Sequence, residues 1–323
     1  MRLAVSPTIP VGAGHLVEVC RRAEDMGYEW AWLSEVAGPE AFSLAGAVAT
    51  ATKRMDIGVA VVAAATRTPA LNAMGIGTVS QLLDGRTFAY GIGSSSEVIV
   101  EQWHGKIFAS PLGQVRDAVL GTRASLEGDP EYLGASASMR RFRLGSPPLG
   151  PVPLYVGALG PRMLALAGEI ADGVCLNLMP PAAVPRQLAE IARGAELRGG
   201  IPEDFDVMAR FHLVVDDDID AARAVIRHTF GPYFAQPVYN RFLAWCGFPK
   251  EAEAILSGFA TRDRDAVAAA MTDDVVDAVS LVGPLERVQQ RLTEFADAGV
   301  TTAALNVIAS SAEEIAGVLG DLR

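Results

Sequence analysis

Residues 153–177, PLYVGALGPRMLALAGEIADGVCLN, read as a strand, a tight turn, a helix and a second strand. Leu154 to Val156 is a short apolar run, and Gly157-Ala158-Leu159-Gly160 forms the turn. Pro161 suits the first helical position, because its missing N–H has no intrahelical partner there. Leu164, Ala167 and Ile170/Ala171 recur at helical spacing, which sets one face against a sheet. Val174 to Leu176 supplies the next buried strand. Two readings of the turn stay open on these residues alone. Glycines that admit a close backbone approach, ahead of a helix with unpaired N–H groups, make a cradle for a phosphate. The same turn also serves simply to reverse the chain.

The pattern repeats outward in both directions. Strand-like runs at Leu3–Ser6 (ended by Pro7 and Pro10), Trp30–Ser34, Ile57–Val62 and Thr87–Ile92 precede it, with amphipathic or alanine-rich helical stretches between them. Phe205–Val215 and Thr302–Val307 follow it. Parallel strands need crossover helices, so about eight βα units predict an α/β fold closed into a (β/α)8 TIM barrel, one domain over 1–323. An open doubly wound sheet is the competitor, and the lack of GxGxxG after the first strand weighs against a dinucleotide-binding version. Two segments break the rhythm. Residues 128–151 are rich in Gly, Pro, Ser and Arg, with a hairpin expected at Tyr132 and Arg141–Leu144. Residues 216–275 form a helical insertion, after which Val275–Val282 reads as a strand.

Half of the 323 residues are hydrophobic and the net charge is −11. That charge disfavours nucleic acid and an anionic membrane as partners, since both need a positive footprint. No apolar run is long enough for a membrane span and no signal peptide is evident, so a cytoplasmic protein is expected. Cys20, Cys175 and Cys246 sit mostly in apolar runs and read as packing thiols. Asp216-Asp217-Asp218 with Asp220 reads as a helix cap, and no metal site is expected.

Working residues in such a barrel lie just past the C-terminal ends of the strands. That rule selects Ser6, Pro7, Glu35, Val61, Val62, Ala63 (on to Thr66), Gly93, Ser94, Ser95, Ser96, Glu97, Gly157, Ala158, Leu159, Gly160 and Asn177. The set is poor in titratable groups. It suits holding a large ligand through amides and hydroxyls, and a cofactor that carries the reaction. Glu35 follows an apolar strand directly and must face the mouth or a partner charge, which makes it the candidate catalytic group. Arg67 reads by default as the partner of a carboxylate. His15, His104, His212 and His228 are scattered and read as structural.

Thr66-Arg67-Thr68-Pro69, Leu83-Asp84-Gly85-Arg86-Thr87-Phe88, Gly91-Ile92-Gly93-Ser94-Ser95-Ser96-Glu97, Gly157-Ala158-Leu159-Gly160-Pro161-Arg162-Met163 and Ala171-Asp172-Gly173-Val174 together resemble the luciferase-like monooxygenase superfamily. Their order and spacing look like its deazaflavin branch. The resemblance implies a TIM barrel binding coenzyme F420, or FMN as the alternative, at its C-terminal mouth. It also implies hydride transfer to or from an unidentified small organic substrate, and a homodimer. The coenzyme's phosphate end is expected at Gly93–Ser96 and Gly157–Gly160. A non-prolyl cis peptide in a bulge among Ala60–Ala63 is expected behind the ring. In the sugar-phosphate branch a histidine follows the acid at the Glu35 position; here Val36 stands there, which argues against sugar-phosphate oxidation. An FMN-dependent monooxygenase and a non-catalytic ligand-binding barrel are the alternatives.

Overall fold

The computed structural model describes residues 1–8 and 12–323; Pro10, expected to help end the first strand, lies outside the described residues. Eight parallel strands form the barrel: β1 (Arg2–Val5), β2 (Trp30–Leu33), β3 (Asp56–Ala63), β4 (Phe88–Gly93), β5 (Leu154–Gly157), β6 (Gly173–Asn177), β7 (Asp206–Val215) and β8 (Thr302–Val307). Each pairs with the next, and β8 returns to β1 through Arg2↔Thr302 to Val5↔Leu305, so the sheet closes. The open-sheet alternative is thereby excluded. Around it run α1 (Ala13–Asp25), α2 (Ala41–Ala51), α3 (Pro69–Leu83), α4 (Pro111–Glu127), α5 (Pro161–Ile170) and α6 (Val184–Ala195). The insertion carries α7 (Ile219–Phe234), α8 (Pro237–Trp245), α9 (Pro249–Ala260), α10 (Arg264–Ala270) and α11 (Asp273–Val279). Helices α12 (Leu285–Ala298) and α13 (Ala312–Leu322) complete the ring.

Two expectations fail locally. The run from Val275 is helical up to Val279, and only Leu281–Gly283 is a strand, which pairs with the far end of β7. Thr272 caps that helix and Asp273 and Asp274 fill its first turn, where carboxylates favour the dipole; this outweighs the β-preference of the valines. The hairpin joins Tyr132–Leu133 to Ser138–Met139, not to Arg141–Leu144. Its turn is fixed from α4, because the Asp117 carboxylate accepts from the Tyr132 hydroxyl and from the Ser136 N–H.

Side-chain alternation fills the barrel. Ala4, Trp30, Trp32, Ala60, Ala89, Tyr155, Cys175, Met208 and Ala304 make one buried interior cluster. Trp30 stacks on Trp32, and Trp32 meets the edge of Tyr155 at 5.0 Å between ring centroids. Gly58 is required beneath them, since a Cβ there would come within 2.3 Å of the Trp32 ring. These aromatics fill the barrel interior and form a floor beneath the C-terminal strand ends. A second, separate core (Leu178, Ala222, Ile226, Phe230, Phe234 and Met271 among its members) lies under the insertion helices.

The floor of the α1–α2 side depends on one carboxylate. Glu24 is buried and accepts from the N–H groups of Lys53, Arg54 and Met55, the last two at 2.6 and 2.8 Å. Burial pushes its pKa up, but the three backbone donors outweigh that and the net shift is downward from 4.5. Glu24→Ala is expected to destabilise by about 2 kcal/mol in urea unfolding, and Glu24→Gln by less, because one acceptor oxygen survives. A lowered folded-state pKa contributes stability above the unfolded value and loses it as pH falls through the folded one. The gap between wild type and Glu24→Gln should therefore be full above pH 4.5 and shrink below it; a gap that stays constant into acid would refute the assignment.

Candidate active site

The mouth is assembled from the inward-facing ends of the strands. The β3–β4 register shifts between Val59 and Val62, and the Ala60–Val61 peptide at that bulge is cis. The bulge throws the Val61 side chain across to two neighbouring strands. A Cβ on Gly93 would lie 2.6 Å from Val61 Cγ2, and one on Gly157 would lie 3.0 Å from Val61 Cγ1. Gly157 and Gly93 themselves nearly touch, with the Gly93 Cα 3.7 Å from that built atom. Glycine is thus demanded at both positions by Val61. Neither has a positive φ.

The structure sorts the other expected site residues. Ser94, Ser95 and Ser96 are half-buried on the loop after β4, and Ser95 takes a left-handed φ of 60° that turns the loop over the mouth. Gly160 caps α5 in extended conformation, and a Cβ there would meet nothing within 4 Å. No side chain caps the first turn of α5, and Arg162 is exposed at its start. These are the features of an anion cradle: a first-turn amide at Arg162 that no side chain caps, a positive dipole end, a nearby guanidinium and open space. Leu159 is half-buried and packs on the main core. Val62 and Ala158 are almost wholly buried in the main core, and the Ala158 N–H is given to the Cys175 carbonyl. Ala63 ends β3, half-buried. Ser6 is fully buried with its hydroxyl donated to the Trp32 carbonyl at 2.8 Å, so it braces β1 on β2.

Glu35 has found a partner charge. Its oxygens accept from Arg67 Nη1 and Nη2 at 2.6 and 2.7 Å, and one also accepts the Ala41 N–H at the start of α2. Arg67 reaches Glu40 as well and lies over the Phe42 ring. Burial depresses the Arg67 pKa, but the Glu35 and Glu40 carboxylates raise it overall, so the cation is permanent. Both Glu35 oxygens are engaged, which suits fixing the β2–α2 and β3–α3 loops to each other.

A polar chain crosses the other side of the mouth, and of its members the sequence selects Asn177 as a site residue. Asn177 on β6, His212 on β7 and Asn306 on β8 meet, with His212 registered against Asn306. Asn306 Nδ2 donates to His212 Nδ1 at 2.8 Å, which leaves the His212 Nε2 proton to donate to Asn177 Oδ1 at 3.0 Å. Asn306 Oδ1 in turn accepts the Thr8 hydroxyl at 2.7 Å. Burial, reinforced by the Arg210 charge, pushes the His212 pKa down to about 3, so the imidazole is neutral. From the insertion, the Tyr239 hydroxyl faces Asn177, and its own pKa is raised, chiefly by burial. Phe230 of α7 packs on His212 at 4.3 Å between centroids. One signal could have found this group. Met208, Arg210 and His212 fall on one parity of a strand buried on both faces, where two polar side chains have no place without a use.

The comparisons follow this geometry. A model of the family described as luciferase-like monooxygenase matches residues 2–302. The chain is 31% identical over 286 residues to the 5,10-methylenetetrahydromethanopterin reductase of Archaeoglobus fulgidus, covering 86% of this chain and 85% of that protein. It is 28% identical over 231 residues to the F420-dependent glucose-6-phosphate dehydrogenase of Amycolatopsis mediterranei, covering 65% and 68%. Among solved structures, the coenzyme F420-dependent tetrahydromethanopterin reductase of Methanopyrus kandleri superposes with a TM-score of 0.85 at 23% identity, over 99% of this chain and 97% of that one.

Proposed function

The chain belongs to the luciferase-like monooxygenase family, and within it we propose a coenzyme F420-dependent oxidoreductase that transfers a hydride between the deazaflavin and a small organic substrate. The observation that carries this reading is the meeting of Gly93 and Gly157 beneath Val61, with the uncapped start of α5 beside them. Relatives named for the same coenzyme support it. When bound, the deazaflavin supplies the hydride chemistry, so the protein needs no nucleophile. Ser94–Ser96, Gly157, Gly160 and the first-turn amide of α5 would hold its phosphate tail, and Val61 would back its ring.

The chain's own groups then bind, orient and exclude water. The aromatic floor closes the barrel below, and the insertion helices cover the β6–β7 side. The Thr8–Asn306–His212–Asn177 chain runs in one direction, because Asn306 gives one amide proton to His212 Nδ1. Asn177 Oδ1 is therefore occupied and its amide group faces Tyr239, which leaves the Tyr239 hydroxyl proton available to a substrate oxygen. The raised pKa keeps that proton in place at neutral pH. Glu35 acts in this reading as a positioning residue through Arg67.

Titrating the protein with coenzyme F420 and separately with FMN, and following fluorescence quenching, tests the proposal. Micromolar or tighter binding of the deazaflavin is expected, with FMN at least tenfold weaker. Tight FMN binding with no response to the deazaflavin would shift the assignment to a flavin monooxygenase. Binding with no turnover of reduced coenzyme across carbonyl, enone and imine compounds would leave a binding protein.

A further inference from the structure

One cation inside the barrel has no counter-charge. Arg210 stands on β7 opposite Asn177 and Ala304, pointing inward between Met208 and His212. Its Nη2 donates to the Ala60 carbonyl at 2.9 Å. Its Nε is shut off from solvent and without a partner among the described residues, and it joins no ion pair among them. The three undescribed residues, Ile9, Pro10 and Val11, carry no charge. The one acid nearby in the barrel, Asp206, is a layer lower and accepts from Tyr155, Thr301 and Thr302. The polar groups that face Arg210 are Cys175, Tyr233 and Tyr239, all neutral, and neutral His212.

An arginine cannot shed its charge, and a half-buried guanidinium with one hydrogen bond and a shut-off Nε costs more than an apolar side chain of like size. Its retention at the mouth fits a ligand that brings the missing charge. Beside it, Phe230, Tyr233 and Tyr239 from α7 and α8 form a continuous wall, with centroids 5.6 Å apart for the first pair and 5.8 Å for the second. We propose that Arg210 and this aromatic wall are the substrate subsite, and that the substrate carries a carboxylate on a flat apolar body. The free N–H groups of a planar guanidinium match the two oxygens of a carboxylate. The wall matches a conjugated or aromatic skeleton. This rests on the hydride-transfer reading for its use, but not for its test.

Benzoate and its neutral isostere benzamide serve as probes, titrated calorimetrically into the full-length protein with and without coenzyme F420. Wild type is expected to prefer benzoate at least tenfold. Arg210→Met should erase that preference, and Arg210→Lys, which keeps a charge and a donor for Ala60, should retain part of it. Coenzyme affinity, read by fluorescence on the same samples, should change by no more than a few-fold, and melting curves confirm that each variant is folded. Equal affinity for the two probes in wild type, or an undiminished benzoate preference in Arg210→Met, would overturn the proposal. So would benzoate that competes with the coenzyme, since the charge would then serve the coenzyme. Failure of the coenzyme to bind wild type strikes the function proposed above and leaves the benzoate comparison intact.

Discussion

Gly93→Ala is expected to weaken deazaflavin binding by tenfold to a hundredfold while the barrel still folds. The new Cβ would sit 2.6 Å from Val61 Cγ2, closer than real Cβ contacts come, so Val61 must move off the bulge. A β-branched side chain has few rotamers to retreat to, and Gly91 and Gly157 lie close to its other methyl. Overpacking of this kind costs about 1–3 kcal/mol, and each 1.4 kcal/mol is a factor of ten in affinity when the displaced group backs the ligand. Fluorescence titration of the oxidised coenzyme measures the loss. The companion variant Val61→Ala/Gly93→Ala removes the colliding methyls and should recover much of the affinity, a non-additive result diagnostic of direct contact. A single variant that binds as tightly as wild type would show that Val61 does not back the ring.

Gly194→Ala should have the largest effect on stability, about 3 kcal/mol or more, with a melting temperature lower by several degrees. Helices α5 and α6 cross at a reciprocal pair of glycines. A Cβ on Gly194 would lie 1.8 Å from the Ala165 carbonyl oxygen, and one on Gly168 would lie 2.0 Å from that of Ile191. Backbone, unlike a side-chain tip, has no rotamer by which to yield, so the helices must part. The displacement would travel along α5 to its amino end at Gly160. Loss of affinity for a phosphate-bearing coenzyme is therefore expected alongside the lower melting point, and an unchanged thermal transition would refute the close-packing argument.

The barrel was legible because its signals are local and repeat: Pro161 at a helix start, apolar strands such as Ile57–Val62, and glycines such as Gly27 and Gly299 after helices. The insertion was legible as helical for the same reason, but not in where it ended. At Asp273 a capping threonine with two acids competes with a pair of valines, and the cap and the helix dipole prevail. Of the candidate site, the glycine loops could be located from strand ends alone. Arg210 and His212 show in the sequence only as two polar residues of one parity within β7, and their grouping with Asn306 does not show at all, because the three become neighbours only when β7 is seated between β6 and β8. Tyr239 arrives from the insertion, for which the sequence carries no signal of direction. Glu35 and Arg67 were each read correctly as charges needing an answer, but that they answer each other is a fact of the loops' fold.

The separate core beneath α7–α11 has an evolutionary meaning. Because that roof is held by its own apolar residues, such as Ile226, Phe234 and Met271, mutations in it are constrained by one another more than by the barrel. Such a module can drift, lengthen or be exchanged without re-solving the cofactor platform. Tyr233 and Tyr239 sit on that roof, whereas Val61, Gly93 and Gly157 sit on the barrel strands. One scaffold can in this way keep a single redox partner and change what it works on.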